Sequence, residues 1–129
     1  GSARQIAQTV SATAMVCYTS SGATARRIAR ERPPVPLLAM SPSLHTARRM
    51  GLLWGVYAVH SRDVGSFEEM VEKGKRMALR HKIAGGGDRI VLMAGIPFGT
   101  AGSTNVLHVV RLSGDELERY QASKGLAGQ

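Results

Sequence analysis

The chain has one cysteine, one tryptophan and aromatic residues at only 5% of its length. A single cysteine, Cys17, excludes an internal disulfide and any multi-cysteine metal site, and fits a reducing cytoplasm. It lies in the apolar run Met15–Tyr18 with no basic neighbour to lower its pKa, and reads as a buried structural thiol, not a nucleophile. The scarce aromatics leave no evident platform for stacking bases. No apolar run approaches the roughly 20 residues a membrane-spanning helix needs, and no secretory signal is evident. Acids are also few, nine against seventeen Lys and Arg, for a formal net charge of +8. Such an excess attracts polyanions. Here, however, the bases are dispersed through several predicted helices, and no nucleic-acid motif accompanies them. The expectation is a cytoplasmic protein with no nucleic-acid and no membrane partner, its charge serving anionic metabolites or an acidic protein surface.

What is present predicts one domain over residues 1–129, with a core from about 3 to 112 and a polar tail over 113–129 that holds a marginal helix at 115–122. At 43% apolar the chain can bury a core unaided. Gly1-Ser2 resembles the scar of a cleaved tag. Apolar spacing at Ala3, Ile6, Ala7 and Val10 predicts a helix over 3–12. Met15–Tyr18 is a strand. A helix after Gly22 stops at Arg32, because Pro33-Pro34 cannot continue it. Val35–Met40 is the second strand, and Ser41-Pro42 opens a helix through Met50 that Gly51 caps. Trp54–Val59 is the third strand. Ser66 and Glu69 form a capping box for a long helix from Phe67 to about Ile83. Arg89–Ala94 and Val106–Leu112 are the fourth and fifth strands.

Four strand–helix alternations predict a three-layer α/β/α fold around a mainly parallel five-stranded sheet. The expected order is 3-2-1-4-5, with the last strand antiparallel. Ligands of such sheets bind beyond the carboxyl ends of the strands, where the order reverses. Two stretches meet that rule. The loop Thr19-Ser20-Ser21-Gly22-Ala23-Thr24 joins a buried strand to a helix, and combines hydroxyl donors with the unpaired N–H groups and positive dipole end of that helix. These are also ordinary capping residues. The second stretch is the loop of about ten residues ending in Gly99-Thr100-Ala101-Gly102-Ser103-Thr104-Asn105. It is longer than a tight hairpin needs, and reads as a flap.

Other features carry less. The acids and bases of the 67–83 helix are arranged as its dipole prefers, and read as a solvated face. Gly85-Gly86-Gly87-Asp88 precedes a strand and reads as a connecting turn. His45, His60, His81 and His108 are too scattered to share a metal, and no base–nucleophile pair is identifiable. No metal site and no catalytic residue are expected. Arg26 and Arg27 stand behind the first loop, equally suited to a ligand or to solvent.

The ordered set Ala3-Arg4-Gln5-Ile6-Ala7, Thr19–Arg26, Arg32-Pro33, Thr46-Ala47-Arg48-Arg49, Trp54-Gly55-Val56, Gly87-Asp88, Gly95-Ile96-Pro97 and Gly102-Ser103-Thr104-Asn105 resembles the C-terminal domain of pyruvate kinases, over roughly residues 3–112. The resemblance implies an allosteric effector-binding and oligomerisation domain in a cytoplasmic glycolytic enzyme that moves phosphate from phosphoenolpyruvate to ADP. It implies catalysis, with Mg and K, in a separate barrel domain whose motifs this sequence lacks, hence no cofactor and no kinase activity here. The partners it implies are that barrel domain, a homo-oligomer and a phosphorylated effector. By the same resemblance, the 19–24 loop holds an effector phosphate and the 99–105 loop closes over it. A tryptophan and an arginine that hold the second phosphate of fructose 1,6-bisphosphate in some relatives fall at Phe67 and Gly74. Lys73 and Lys75 are the candidate substitutes, and AMP or a sugar monophosphate is favoured over the bisphosphate. An assembly-only role with an unused pocket and a stand-alone phosphometabolite-binding module are the alternatives.

Overall fold

A computed structural model describes residues 2–62, 64–96 and 104–113. The described residues form four helices and five strands, in the order α1 (Ser2–Thr9), β1 (Ala14–Tyr18), α2 (Ala23–Arg30), β2 (Leu37–Ser41), α3 (Leu44–Met50), β3 (Val56–His60), α4 (Phe67–Arg80), β4 (Arg89–Ile96) and β5 (Thr104–Arg111). The strands form one sheet in the order β3-β2-β1-β4-β5. All neighbours are parallel except β4 and β5, which pair antiparallel with Leu92 opposite His108. The expected architecture and strand order are therefore present.

The two central strands explain their own sequence. β1 and β2 are buried at every position, so they read as unbroken apolar runs, not as alternating ones. Their side chains divide by parity. Val16, Tyr18, Leu38 and Met40 face Met70, Ala78 and Leu79 of α4. Met15, Cys17, Leu37 and Ala39 pack with Ala7, Ala25, Ile28 and Met50 of α1, α2 and α3. α4 lies close against the sheet at Gly74, where a Cβ would lie 2.9 Å from Leu92 Cδ2 and 3.1 Å from Val16 Cγ1. The missing side chain is what lets the helix seat there.

Several boundaries differ from the sequence expectation, each for a local reason. α1 stops at Thr9 because Ser11 takes φ 53, with Ser11 N–H donating to the Gln8 carbonyl at 3.2 Å and Ala12 N–H to the Ala7 carbonyl at 3.0 Å. α4 stops at Arg80 in the same way, with Lys82 at φ 58. α2 stops at Arg30, with Arg32 at φ 48 just before Pro33. Ser41 is not the cap of α3. It is the last residue of β2, accepting from Ser61 N–H at 2.7 Å through its carbonyl, while Ser43 caps α3 by accepting from Thr46 N–H at 3.2 Å. β2 and β3 start later than expected, at Leu37 paired with Val56, since Pro36 offers the ladder no N–H. β4 and β5 are longer than expected, pairing as far as Ile96 with Thr104. The connection between them therefore shrinks to residues 97–103, which lie outside the described residues, as does the expected 115–122 helix.

Candidate functional site

The carboxyl ends of β1 and β4 lie at one edge of the sheet, with Tyr18 paired to Ala94 and β4 continuing to Ile96. β2 and β3 lie on one side of β1, β4 and β5 on the other, so the strand order reverses between β1 and β4. This is the position at which doubly wound sheets bind ligands.

The chain leaves β1 here through Thr19–Gly22. Thr19 is buried, and its N–H still donates to the Met40 carbonyl at 2.9 Å. Its Oγ1 accepts from Gly22 N–H at 2.9 Å. Gly22 caps α2 in a left-handed conformation, φ 86 and ψ −2, without a side-chain cap bond. A Cβ there would be strained and would sit 2.9 Å from Arg26 Nη1. Ser21 is exposed, and its Oγ accepts from Ala23 N–H at 3.3 Å. The first internal bond of α2 runs from Arg26 N–H to the Gly22 carbonyl at 2.9 Å, so the N–H groups of Thr24 and Ala25 precede it and have no carbonyl of the helix to donate to, Ala25 being buried. Ser20 and Thr24 are half-buried beside them, and Ala23 is exposed.

Two residues from outside the loop fix its shape. Thr46, buried on α3, donates its hydroxyl to the Ser20 carbonyl at 2.9 Å. Arg26 folds back along α2, and its Nη1 donates to the Ser21 carbonyl at 3.3 Å. The first turn of α2 has no acid. A guanidinium and a helix N-terminus thus stand together with no carboxylate from that turn to balance them, a combination that attracts anions. The sequence left Arg26 equally suited to a ligand or to solvent, and its contact with the Ser21 carbonyl shows where it reaches. Thr46 carried no local signal, because its partner is 26 positions away.

The remaining expected site residues are placed as follows. Thr104 and Asn105 open β5 opposite Ile96 and Gly95, while Gly99, Thr100, Ala101, Gly102 and Ser103 lie outside the described residues. Lys73 and Lys75 are on α4, across the sheet from α2. Lys75 Nζ lies 3.5 Å from Glu72 Oε1. Lys73 lines a shallow depression of about 330 Å³ with Glu68, Glu69, Glu72 and Arg76, whose glutamates oppose an anion, and the 19–24 loop takes no part in it. Gly74 faces the core against Leu92, so that position reaches no ligand. Phe67 stands edge-on to His108 with ring centroids 5.7 Å apart. The Gly85–Asp88 turn is closed by its own Asp88 Oδ2, which accepts from Gly85 N–H at 2.7 Å. Among the described residues, no cluster of three or more His, Cys, Asp or Glu side chains could hold a metal.

Comparison with known proteins bears on this site. The profile of the family described as "Pyruvate kinase, alpha/beta domain" matches residues 1–110. A pyruvate kinase of Agrobacterium vitis is 44% identical over 109 residues, covering 84% of this chain and 23% of the relative. One of Methylorubrum extorquens is 34% identical over 117 residues, covering 91% of this chain and 24% of the relative. The chain thus spans about a quarter of the length of these curated relatives. Among solved structures, a Cryptosporidium parvum pyruvate kinase in complex with ADP superposes with a TM-score of 0.75 at 25% identity, covering 85% of this chain and 22% of that one.

Proposed function

Since the chain belongs to the pyruvate kinase α/β-domain family, we propose that it acts as the regulatory C-terminal part of such an enzyme, binding a phosphorylated effector and contributing to its oligomeric assembly. The parent enzyme would transfer phosphate from phosphoenolpyruvate to ADP in glycolysis, in the cytoplasm, with its Mg and K held in the barrel domain. The observation that carries this reading is the Thr19–Thr24 loop. It lies at the strand-order reversal, opens α2 through a left-handed Gly22, and holds Arg26 against its Ser21 carbonyl. Thr24 N–H, the hydroxyls of Ser20, Ser21 and Thr24, and the Arg26 guanidinium would share one phosphate. A second phosphate finds no arginine at Gly74, which supports AMP or a sugar monophosphate over a bisphosphate.

A titration of the chain with AMP, ribose 5-phosphate, glucose 6-phosphate, fructose 1,6-bisphosphate and inorganic phosphate, followed by melting, tests the reading. A ligand at a hundred times its Kd stabilises the fold by about 2.7 kcal/mol. The expected result is a selective rise for a monophosphate, abolished by joint Ser20→Ala, Ser21→Ala and Thr24→Ala substitution with the fold retained. No rise for any ligand would sink the effector site. One observation favours the assembly-only alternative: Thr19 Oγ1 and Ser21 Oγ already accept N–H groups of their own loop. A flat response from a folded protein would select it.

A further inference from the structure

Leu107, Val109 and Arg111 of β5 pair with Met93, Val91 and Arg89 of β4, and paired residues share one face of a sheet. On the side of α1, α2 and α3 that face is closed as far as β4, where Val91 is fully buried in one cluster with Ala7 and Ala12. One strand further out it is open: Leu107 is 43% and Val109 39% exposed. The helices of this side therefore stop one strand short of the edge of the sheet. Below the apolar strip, Arg111 stands directly opposite Arg89, and like charges so placed destabilise a strand pair. Arg89 Nη1 donates to the Val10 carbonyl at 3.1 Å, which leaves its charge unbalanced, and Arg111 is exposed. Among the described residues, no carboxylate pairs with either arginine.

The described residues end at Ser113, two positions past Arg111, and residues 114–129 follow. That segment lies beyond the 1–110 matched by the family profile. It begins with three acids, Asp115, Glu116 and Glu118, the charge that the two arginines lack. Ser113 and Glu116 have the spacing of a capping box, and Leu117 and Tyr120 fall on one side of the helix expected over 115–122. A helix that short is marginal in water and needs an apolar surface to hold it. The strip on β5 is at hand, and a tether of a few residues supplies a local concentration of about millimolar. We propose that residues 115–122 fold back as a helix against β5, with Leu117 and Tyr120 on Leu107 and Val109, and with Asp115, Glu116 and Glu118 facing Arg89 and Arg111. The turn this needs, Ser113-Gly114, has an ordinary length for a strand-to-helix connection. Docked there, the segment covers the outermost strand of the sheet, whose edge and apolar strip otherwise invite association with other chains. Its release opens β5 to a second molecule.

Amide hydrogen exchange of the whole chain, read by mass spectrometry on peptides from 114–124, tests this. An undocked helix of this length protects its amides little, so protection there reports docking. In the wild type these amides are expected to exchange at least about tenfold more slowly than in the same sequence as a free peptide. Leu117→Asp and, separately, Arg111→Glu are expected to return them to the free-peptide rate, while peptides from β1 and β2 stay protected. Combining Arg111→Glu with Glu116→Arg is expected to restore part of the protection, which a merely weakened β5 would not do. If Arg111→Glu loosened β5 itself, Leu117→Asp, outside the strand, would still decide the matter. Wild-type exchange at the free-peptide rate would overturn the proposal, and so would protection that survives both single substitutions. Protection that grows with protein concentration would also overturn it, giving the segment to a second copy of the chain.

Discussion

Cys17 lies at the centre of the sheet, fully enclosed, and burial pushes its thiol from 9.0 up to about 12. The native fold therefore keeps the proton that the unfolded chain releases first. The stability this contributes is complete below pH 9 and is lost as pH rises from 9 toward 12. Over that window, one group costs about 1.4 kcal/mol per pH unit. Urea midpoints measured between about pH 8 and pH 10.5 are expected to fall more steeply for the wild-type chain than for Cys17→Ala, the difference isolating this thiol from other titrating groups. Parallel curves would place the thiol in a less enclosed site. The burial of Cys17 was legible from its apolar neighbours in sequence. Thr19, Ser20 and Ser21 were legible as a polar turn, but which hydroxyls cap the loop and which face outward was not. That division depends on Thr46 and Arg26, contacts no local pattern encodes.

At the scale of elements, three helices end on residues in the left-handed region that are not glycine: Ser11, Arg32 and Lys82. At α4 the geometry is a complete helix stop, with Lys82 N–H donating to the Leu79 carbonyl and Ile83 N–H to the Ala78 carbonyl, both at 3.1 Å. Ile83 is buried just beyond, so the reversal is fixed by packing, and Lys82 bears the strain. Lys82 is exposed. Lys82→Gly is expected to stabilise the fold by about 1 kcal/mol, since glycine removes the Cβ penalty at that dihedral. A urea midpoint unchanged or lowered would mean that the lysine stem contributes packing there. The same feature explains why the helix ends were misplaced in sequence. Apolar periodicity continues through Val10 and Ile83, because those residues stay in the core after the helix has stopped. The long hairpin escaped for a related reason: Gly95, Ile96, Thr104 and Asn105 lack strand patterning, and the antiparallel ladder holds them regardless.

Across the whole molecule, topology was the most legible level. The alternation of apolar runs and amphipathic helices admits few right-handed arrangements, and the observed sheet is one of them. Charge is the property that topology leaves unresolved. With seventeen bases to nine acids, the folded chain repels itself, and any salt that screens this stabilises it. Anion-dependent stability alone therefore does not establish a phosphate site. Matched ionic strength separates the two effects. Sodium chloride is expected to raise the melting midpoint gradually and to the same extent in the wild type and in the Ser20, Ser21, Thr24 triple alanine chain. Phosphate at equal ionic strength is expected to add a further, saturating increment in the wild type alone, following the occupancy relation for a single site. If the two salts gave superimposable curves in both chains, the loop would be a capped turn and the charge would act only as a diffuse field. If phosphate exceeded chloride equally in both chains, the anion would sit elsewhere, and the exposed arginines of α2 and α3 would be the place to seek it.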